Sequence, residues 1–259
     1  MLNKKYVFVD LDGTILDHST HEIPKSAKYA ISKAMENGHE IVLTTGRPPC
    51  LFYGYDKELG LESFIGANGR IAVSNGRTIS SDTIDKNDIK KLVEICKKER
   101  IDIAYEGMDD FVLQSTYDDI YFKFSENFHL EVPKVHKDFY IDHDVYQITF
   151  YYQKDDFKKF EDIFPNLHFA LSCEYGIDVN TRGGLKEKGI KEFMREFGLS
   201  QKDIIAIGDG FNDITMLQFV ENSVAMGNAH DDVKIHAKHV TSHISDDGLL
   251  NAFKKFNLV

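Results

Sequence analysis

The sequence predicts an α/β fold: a doubly wound, Rossmann-like parallel sheet core with an inserted α+β cap domain. Three observations predict it. Short apolar runs alternate with amphipathic helical stretches at both ends of the chain. Three of those runs end in carboxylate or hydroxyl residues, where ligand-facing strand ends lie in such sheets. Between the two ends lies an aromatic-rich region with a different order of elements.

The elements follow in order. "YVFV" (Tyr6–Val9) is a short apolar run, as for a strand buried on both faces. In "IPKSAKYAISKAMENG", Ala27, Ala30, Ile31 and Ala34 share one helical face, Pro24 suits the first turn and Gly38 the stop. "EIVLTT" reads as a second buried strand, so strand, helix and strand form a parallel pair with a right-handed crossover. Asn68-Gly69 and Asn75-Gly76 mark turns, and the second, between "RIAVS" and "RTIS", predicts a hairpin. The inserted region holds a helix at "KNDIKKLVEICKKER", strands at "IDIAYE" and "FVLQ", and a helical stretch at "YDDIYFKFSENF". A strand at "VYQITFYY", a helix at "KDDFKKFEDIF" and strands at "LHFALSC" and "GIDVN" follow, which suits an antiparallel sheet. Beyond it, "EKGIKEFMREFG" places Ile190, Phe193, Met194 and Phe197 on one stripe ended by Gly198. "DIIAIGD", "SVAMG" and "HVTS" are the last strands. The expected division is a core of 1–80 and 184–259 with an insert of 81–183.

A chain of 259 residues can bury a sizeable core. Its net charge of −11 argues against a nucleic-acid-binding face, and a small anionic substrate would need local cations or a metal. No apolar run reaches the roughly 18 residues of a membrane span, so no membrane partner is expected. The start "MLNKKYVFVDLDG" is too polar for a signal peptide, and Cys50, Cys96 and Cys173 are scattered and odd in number. Both points favour a reducing, cytoplasmic setting. A monomer or weak dimer is expected.

The chemistry gathers at three strand ends. One ends in Asp10, with Asp12 next; one in Thr45, Gly46 and Arg47; one in Asp209, with Asn212 and Asp213 close behind. Parallel strands would bring these clusters to one edge. So many carboxylates at one point are costly unless they hold a cation. Hard oxygen ligands without His or Cys point to Mg²⁺. Thr45, Asn212, the amides of the Asp12-Gly13-Thr14 turn and Lys188 could meet an anion. Asp10 and Asp12, two apart in extended chain, can face one substrate: the first to attack phosphorus, the second to move the proton.

These pieces, "DLDGT", "TTGRP", "KEKGI" and "IGDGFNDITML", resemble the haloacid dehalogenase (HAD) superfamily. The position of the insert, with "GANGRI" and "VAMGNAHDDVKIHA", is similar to the Cof-type branch with a type IIB cap. The resemblance implies a phosphatase acting on small phosphorylated metabolites, with a cap that closes over the site. Asp10 would be nucleophile and metal ligand, and Asp12 the acid/base that gives its carbonyl to Mg²⁺. Thr45 and Lys188 would bind the phosphoryl group, and Asn212 would reach it. Asp209 would ligate the metal, with Asp213 doing so directly or through water. Lys188 is preferred because a glycine follows it; Lys186 competes. Arg47 has either a site role or a structural one. A sugar phosphomutase or a low-turnover phosphoacceptor are the alternative functions.

Overall fold

The computed structural model describes residues 4–127 and 130–259. The expected helical stretch "YDDIYFKFSENF" ends at Phe128, which lies outside the described residues, as do the first three residues of the chain. In chain order the strands are β1 (Tyr6–Val9), β2 (Glu40–Thr44), β3 (Phe64–Gly66), β4 (Ile71–Ser74), β5 (Arg77–Ser81), β6 (Ile103–Glu106) and β7 (Phe111–Leu113). Then come β8 (Lys134–Val135), β9 (Gln147–Phe150), β10 (Leu167–Cys173), β11 (Gly176–Thr181), β12 (Ile204–Gly208), β13 (Ser223–Ala225) and β14 (His239–Val240). The chain divides into two compact units: Met1–Arg47, Phe52–Ser81 and Leu185–Val259 form one, Pro48–Leu51 and Asp82–Gly184 the other.

In the first unit the strand order is β14-β13-β12-β1-β2-β3-β4-β5. The sheet is parallel from β14 to β3, and β4 and β5 add an antiparallel hairpin at the edge. Asn75 (φ 48°) and Gly76 (φ 73°) make the left-handed turn of that hairpin. Alternate residues of β1 face opposite ways. Val7 and Val9 pack with the helix Lys25–Glu36, while Phe8 packs with Phe193 of the helix Lys186–Phe197. Both faces of β1 are thus covered, which is why its sequence is continuously apolar. The helix Lys25–Glu36 buries Ala27, Ala30, Ile31 and Ala34, the face the sequence predicts. The central position of β1, between β12 and β2, sets its carboxyl end beside theirs.

The second unit carries a sheet in the order β10-β11-β9-β6-β7-β8, antiparallel except for the β7–β8 pair. One face packs Ile103, Tyr105, Ile148, Phe150, Ile177 and Val179 into an apolar core with the helix Lys86–Glu99. The stretch "KDDFKKFEDIF" splits into a 3₁₀ turn (Asp155–Lys158) and a short helix (Lys159–Ile163). The two-residue β8 and the short helix Phe139–Asp142 have no sequence signature, being too short for a periodicity. Among the described residues no helix is long and apolar enough to cross a membrane.

Glu106, at the end of β6, is fully buried on the other face of this sheet. Burial and the charge of Asp178 push its carboxyl up to about 8, against hydrogen bonds from Thr149 and Gln147. That lies above the ordinary 4.5, so between the two values the folded chain holds a proton the unfolded chain has lost. Stability should therefore fall as pH rises through this window, by up to about 1.4 kcal/mol per pH unit. Urea melts across the window are expected to show that slope, and Glu106→Gln to flatten it.

Candidate active site

The site is built from the three strand ends upward. Asp10 follows β1 and anchors its amide on the Ile207 carbonyl of β12 (2.9 Å). The chain then turns through Gly13, at φ +87°. A Cβ on Gly13 would lie 2.1 Å from Asp209 Oδ2, so only glycine permits both the turn and the close approach. Thr14 donates its hydroxyl to Asp209 Oδ1 (2.7 Å), tying the β1 turn to the end of β12. Gly13→Ala is expected to lower stability by about 1–3 kcal/mol or more and to displace Asp209. Thermal melts and phosphate release would read both effects together.

Asp213 closes the loop after β12. Its Oδ2 accepts from the amides of Asp209 (2.9 Å) and Gly210 (2.8 Å), and the side chain is completely buried. Its Oδ1 accepts from Lys186 Nζ (2.6 Å), and the same ammonium donates to Asp10 Oδ1 (2.5 Å). Carboxylate oxygens of Asp10, Asp209 and Asp213 lie within 4.8 Å of one another.

The lysine at this cluster is Lys186, not the preferred Lys188. Lys186 is fully buried at the start of its helix, whereas Lys188 is exposed. Two residues advance an α-helix by about 200°, so the two side chains leave opposite faces. The glycine that favoured Lys188 has another purpose. A Cβ on Gly189 would sit 2.5 Å from Ile65 Cγ2, so this glycine lets the helix approach β3.

Electrostatics define what the cluster can hold. Burial opposes the Lys186 charge, but Asp10 and Asp213 outweigh it and keep the ammonium protonated beyond its ordinary range. Burial and repulsion from Asp213 push Asp10 well above the usual carboxylate range, against the pull of Lys186. Burial likewise pushes Asp209 up to about 6, against the Thr14 hydrogen bond. Three carboxylates against one ammonium leave two formal negative charges in excess. A divalent cation with a preference for oxygen ligands fits both that charge and that donor set.

Asp12 stands apart. It receives two parallel bonds from Arg47, Nε to Oδ2 at 2.9 Å and Nη2 to Oδ1 at 2.6 Å. The guanidinium lies over the rings of Tyr53 (5.4 Å) and Tyr55 (5.9 Å). Thr45 follows β2, is buried, and accepts the Arg47 amide on its hydroxyl (3.1 Å). Asn212 is exposed and donates to Asn68 Oδ1 (3.1 Å). A Cβ on Gly46 would lie 3.2 Å from Asn212 Nδ2 and Asn68 Oδ1, so the loops after β2, β3 and β12 converge there. Asn68 is held for this by left-handed backbone at Ala67, Asn68 and Gly69.

One residue of the site has no separate signal in the sequence. Asn228 donates to the Gly13 carbonyl (2.8 Å) and to Asp209 Oδ2 (3.3 Å), and accepts the Ile244 amide (3.0 Å). It joins the β1 turn, the β12 end and the segment after β14. The stretch "VAMGNAHDDVKIHA" that contains it carries the family resemblance but does not say which atoms this side chain meets.

The chain as a whole is similar to known proteins. Residues 7–253 match the haloacid dehalogenase-like hydrolase family. A phosphoglycolate phosphatase of Nitrosopumilus maritimus (strain SCM1) is 29% identical over 268 residues, spanning 98% of this chain and 96% of its own. The crystal structure of a protein from Geobacillus kaustophilus HTA426 is 29% identical with a TM-score of 0.94, covering 99% of this chain and 100% of that one. The HAD subclass IIB sugar phosphatase BT4131 is 29% identical with a TM-score of 0.78, covering 99% of this chain and 100% of that one. The chain therefore belongs to the haloacid dehalogenase-like hydrolase family, in its Cof-type, subclass IIB branch, and is a phosphoric monoester hydrolase.

Proposed function

We propose that this phosphatase hydrolyses small phosphate monoesters, sugar phosphates or similar metabolites, with Mg²⁺ and through a phosphoryl group carried by Asp10. The observation that carries the reading is Asp10 seated beside Lys186, Asp209 and Asp213, with Asp12 clamped separately by Arg47. A carboxylate oxygen of Asp10 attacks phosphorus, and the bond to the ester oxygen breaks. Asp12 gives that oxygen its proton and the alcohol departs. Asp12 then takes a proton from water, whose oxygen attacks the same phosphorus. The acyl phosphate bond breaks, freeing phosphate and restoring Asp10.

Lys186 neutralises the phosphoryl oxygens, and Thr45, Asn212 and the amides of the Asp12-Gly13-Thr14 turn orient them. Arg47 holds the Asp12 carboxylate in place. Asp10, Asp209 and the Asp12 carbonyl would hold Mg²⁺, with Asp213 behind them as a direct or water-borne partner. The ion would supply charge neutralisation to the transferring group. Chelation is expected to remove turnover and added Mg²⁺ to restore it. Asp209→Asn should raise the Mg²⁺ needed for half-maximal phosphate release by roughly ten-fold or more. Turnover that survives chelation intact would contradict the metal assignment.

A further inference from the structure

Within the first unit, the carboxylate of Asp209 is held from two sides. The Thr14 hydroxyl donates to its Oδ1 (2.7 Å), and Asn228 Nδ2 donates to its Oδ2 (3.3 Å). Donors prefer the plane of a carboxylate, so one on each oxygen resists rotation about the Cβ–Cγ bond. The same Nδ2 donates to the Gly13 carbonyl (2.8 Å), while the Gly13 amide donates to the Leu16 carbonyl (2.8 Å). Both peptide groups of Gly13 are thereby pinned. The first of them is planar with the Asp12 carbonyl, so its amide bond also sets the direction of that carbonyl. Asn228 thus touches both the Asp209 carboxylate and the turn that carries the Asp12 carbonyl.

Asn228 is itself firmly placed. Its Oδ1 accepts the Ile244 amide (3.0 Å), which leaves the two N–H groups of Nδ2 for Gly13 and Asp209. That network fixes which way round the amide lies. The backbone before it is tied down twice. The Met226 amide donates to the Gly208 carbonyl at the end of β12 (3.0 Å), and the Gly227 amide to the Ser242 carbonyl (3.0 Å). The side chain is half-buried. Anchoring the loop needs only the bond to Ile244. The two donors do something else: they reach across to the β1 turn and to Asp209.

We propose that Asn228 is a positioning residue that fits the site to Mg²⁺ over Ca²⁺, by holding Asp209 and the Gly13 turn in one geometry. The proposal rests on the Mg²⁺ reading above. Mg²⁺ demands near-octahedral oxygens at about 2.0–2.1 Å, whereas Ca²⁺ takes more ligands at about 2.3–2.6 Å in flexible arrangements. Ligands locked in place can suit the smaller ion, while ligands free to turn can follow the larger one. Without the Nδ2 donor, the Asp209 carboxylate gains rotation about Cβ–Cγ and the Gly13 peptide gains tilt. Mg²⁺ then loses more than Ca²⁺. The amide is neutral, so its removal leaves the charge met by either ion unchanged. A general loosening of the fold would weaken both ions alike; a loss of fixed geometry changes their ratio.

The test titrates the full chain with Mg²⁺ and, separately, Ca²⁺ by calorimetry, with no substrate present. Wild type is expected to bind Mg²⁺ at least as tightly as Ca²⁺. Asn228→Leu should raise the Mg²⁺ dissociation constant by roughly ten-fold or more, and that of Ca²⁺ by less than about three-fold. Asn228→Asp keeps an oxygen for the Ile244 amide and loses both donors. Its added charge acts on both divalent ions and largely cancels in the ratio, which should shift towards Ca²⁺ as well. Thermal melts identify a variant that fails to fold; the other variant, or the wild-type ranking alone, then decides. Tighter Ca²⁺ binding in wild type, or an unchanged ratio in the folded variants, would overturn the proposal and leave Asn228 a loop anchor. Wild-type protein that takes up neither ion would overturn the metal reading instead.

Discussion

Asp10→Asn is expected to lower phosphate release by about a thousand-fold or more while leaving the fold at least as stable. The amide cannot serve as the nucleophile, and its nitrogen carries no charge for a metal. The stability half of the expectation follows from the site's electrostatics. Burial and Asp213 disfavour the Asp10 carboxylate in the metal-free protein. Removing that charge leaves Lys186 still paired with Asp213 at 2.6 Å. Thermal melts without divalent cations should therefore show no fall in the midpoint. A variant that loses activity because it unfolds would show that Asp10 acts through structure, and near-normal turnover would remove it from the mechanism.

The second large effect separates the two lysines. Lys186→Met leaves the buried carboxylates of Asp10 and Asp213 without their shared ammonium. Breaking such a buried pair costs about 3–5 kcal/mol. It should also slow turnover by roughly a hundred-fold or more, since the charge beside the phosphoryl group is lost. Lys188→Met touches an exposed side chain, and the stability change should stay within about 0.5 kcal/mol. Urea melts and phosphate release on both variants decide the matter. Activity lost from the second variant and retained in the first would reverse the assignment.

That pair of lysines shows where sequence reading reaches its limit. β1, β2 and β12 were legible because each is a continuous apolar run, and covering on both faces produces that pattern. The acidic ends were legible because Asp10 and Asp209 directly follow their strands. The spacing of Lys186, Lys188 and Gly189 did not say which lysine faces the carboxylates. The purpose of Gly189 is clearance from Ile65, more than 120 residues earlier in the chain, and only packing reveals it. Asn228 escaped for a similar reason, since its partners are Gly13 and Asp209 and no local pattern links the three. Arg47 could be placed in the loop after β2, but its partnership with Asp12 needs two loops to meet. In the second unit, Gln147 and Thr149 alternate with Ile148 and Phe150, so β9 announces one wet and one dry face.

The central claim is that Asp10 carries the phosphoryl group during turnover. Acid-quenched single turnovers with a ³²P-labelled phosphate ester, followed by peptide mapping, test it most directly. Transient label is expected on the peptide containing Asp10, labile to hydroxylamine as an acyl phosphate is, and none in Asp10→Asn. Label on any other peptide, or phosphate formed on the quench timescale with the protein never labelled, would contradict it.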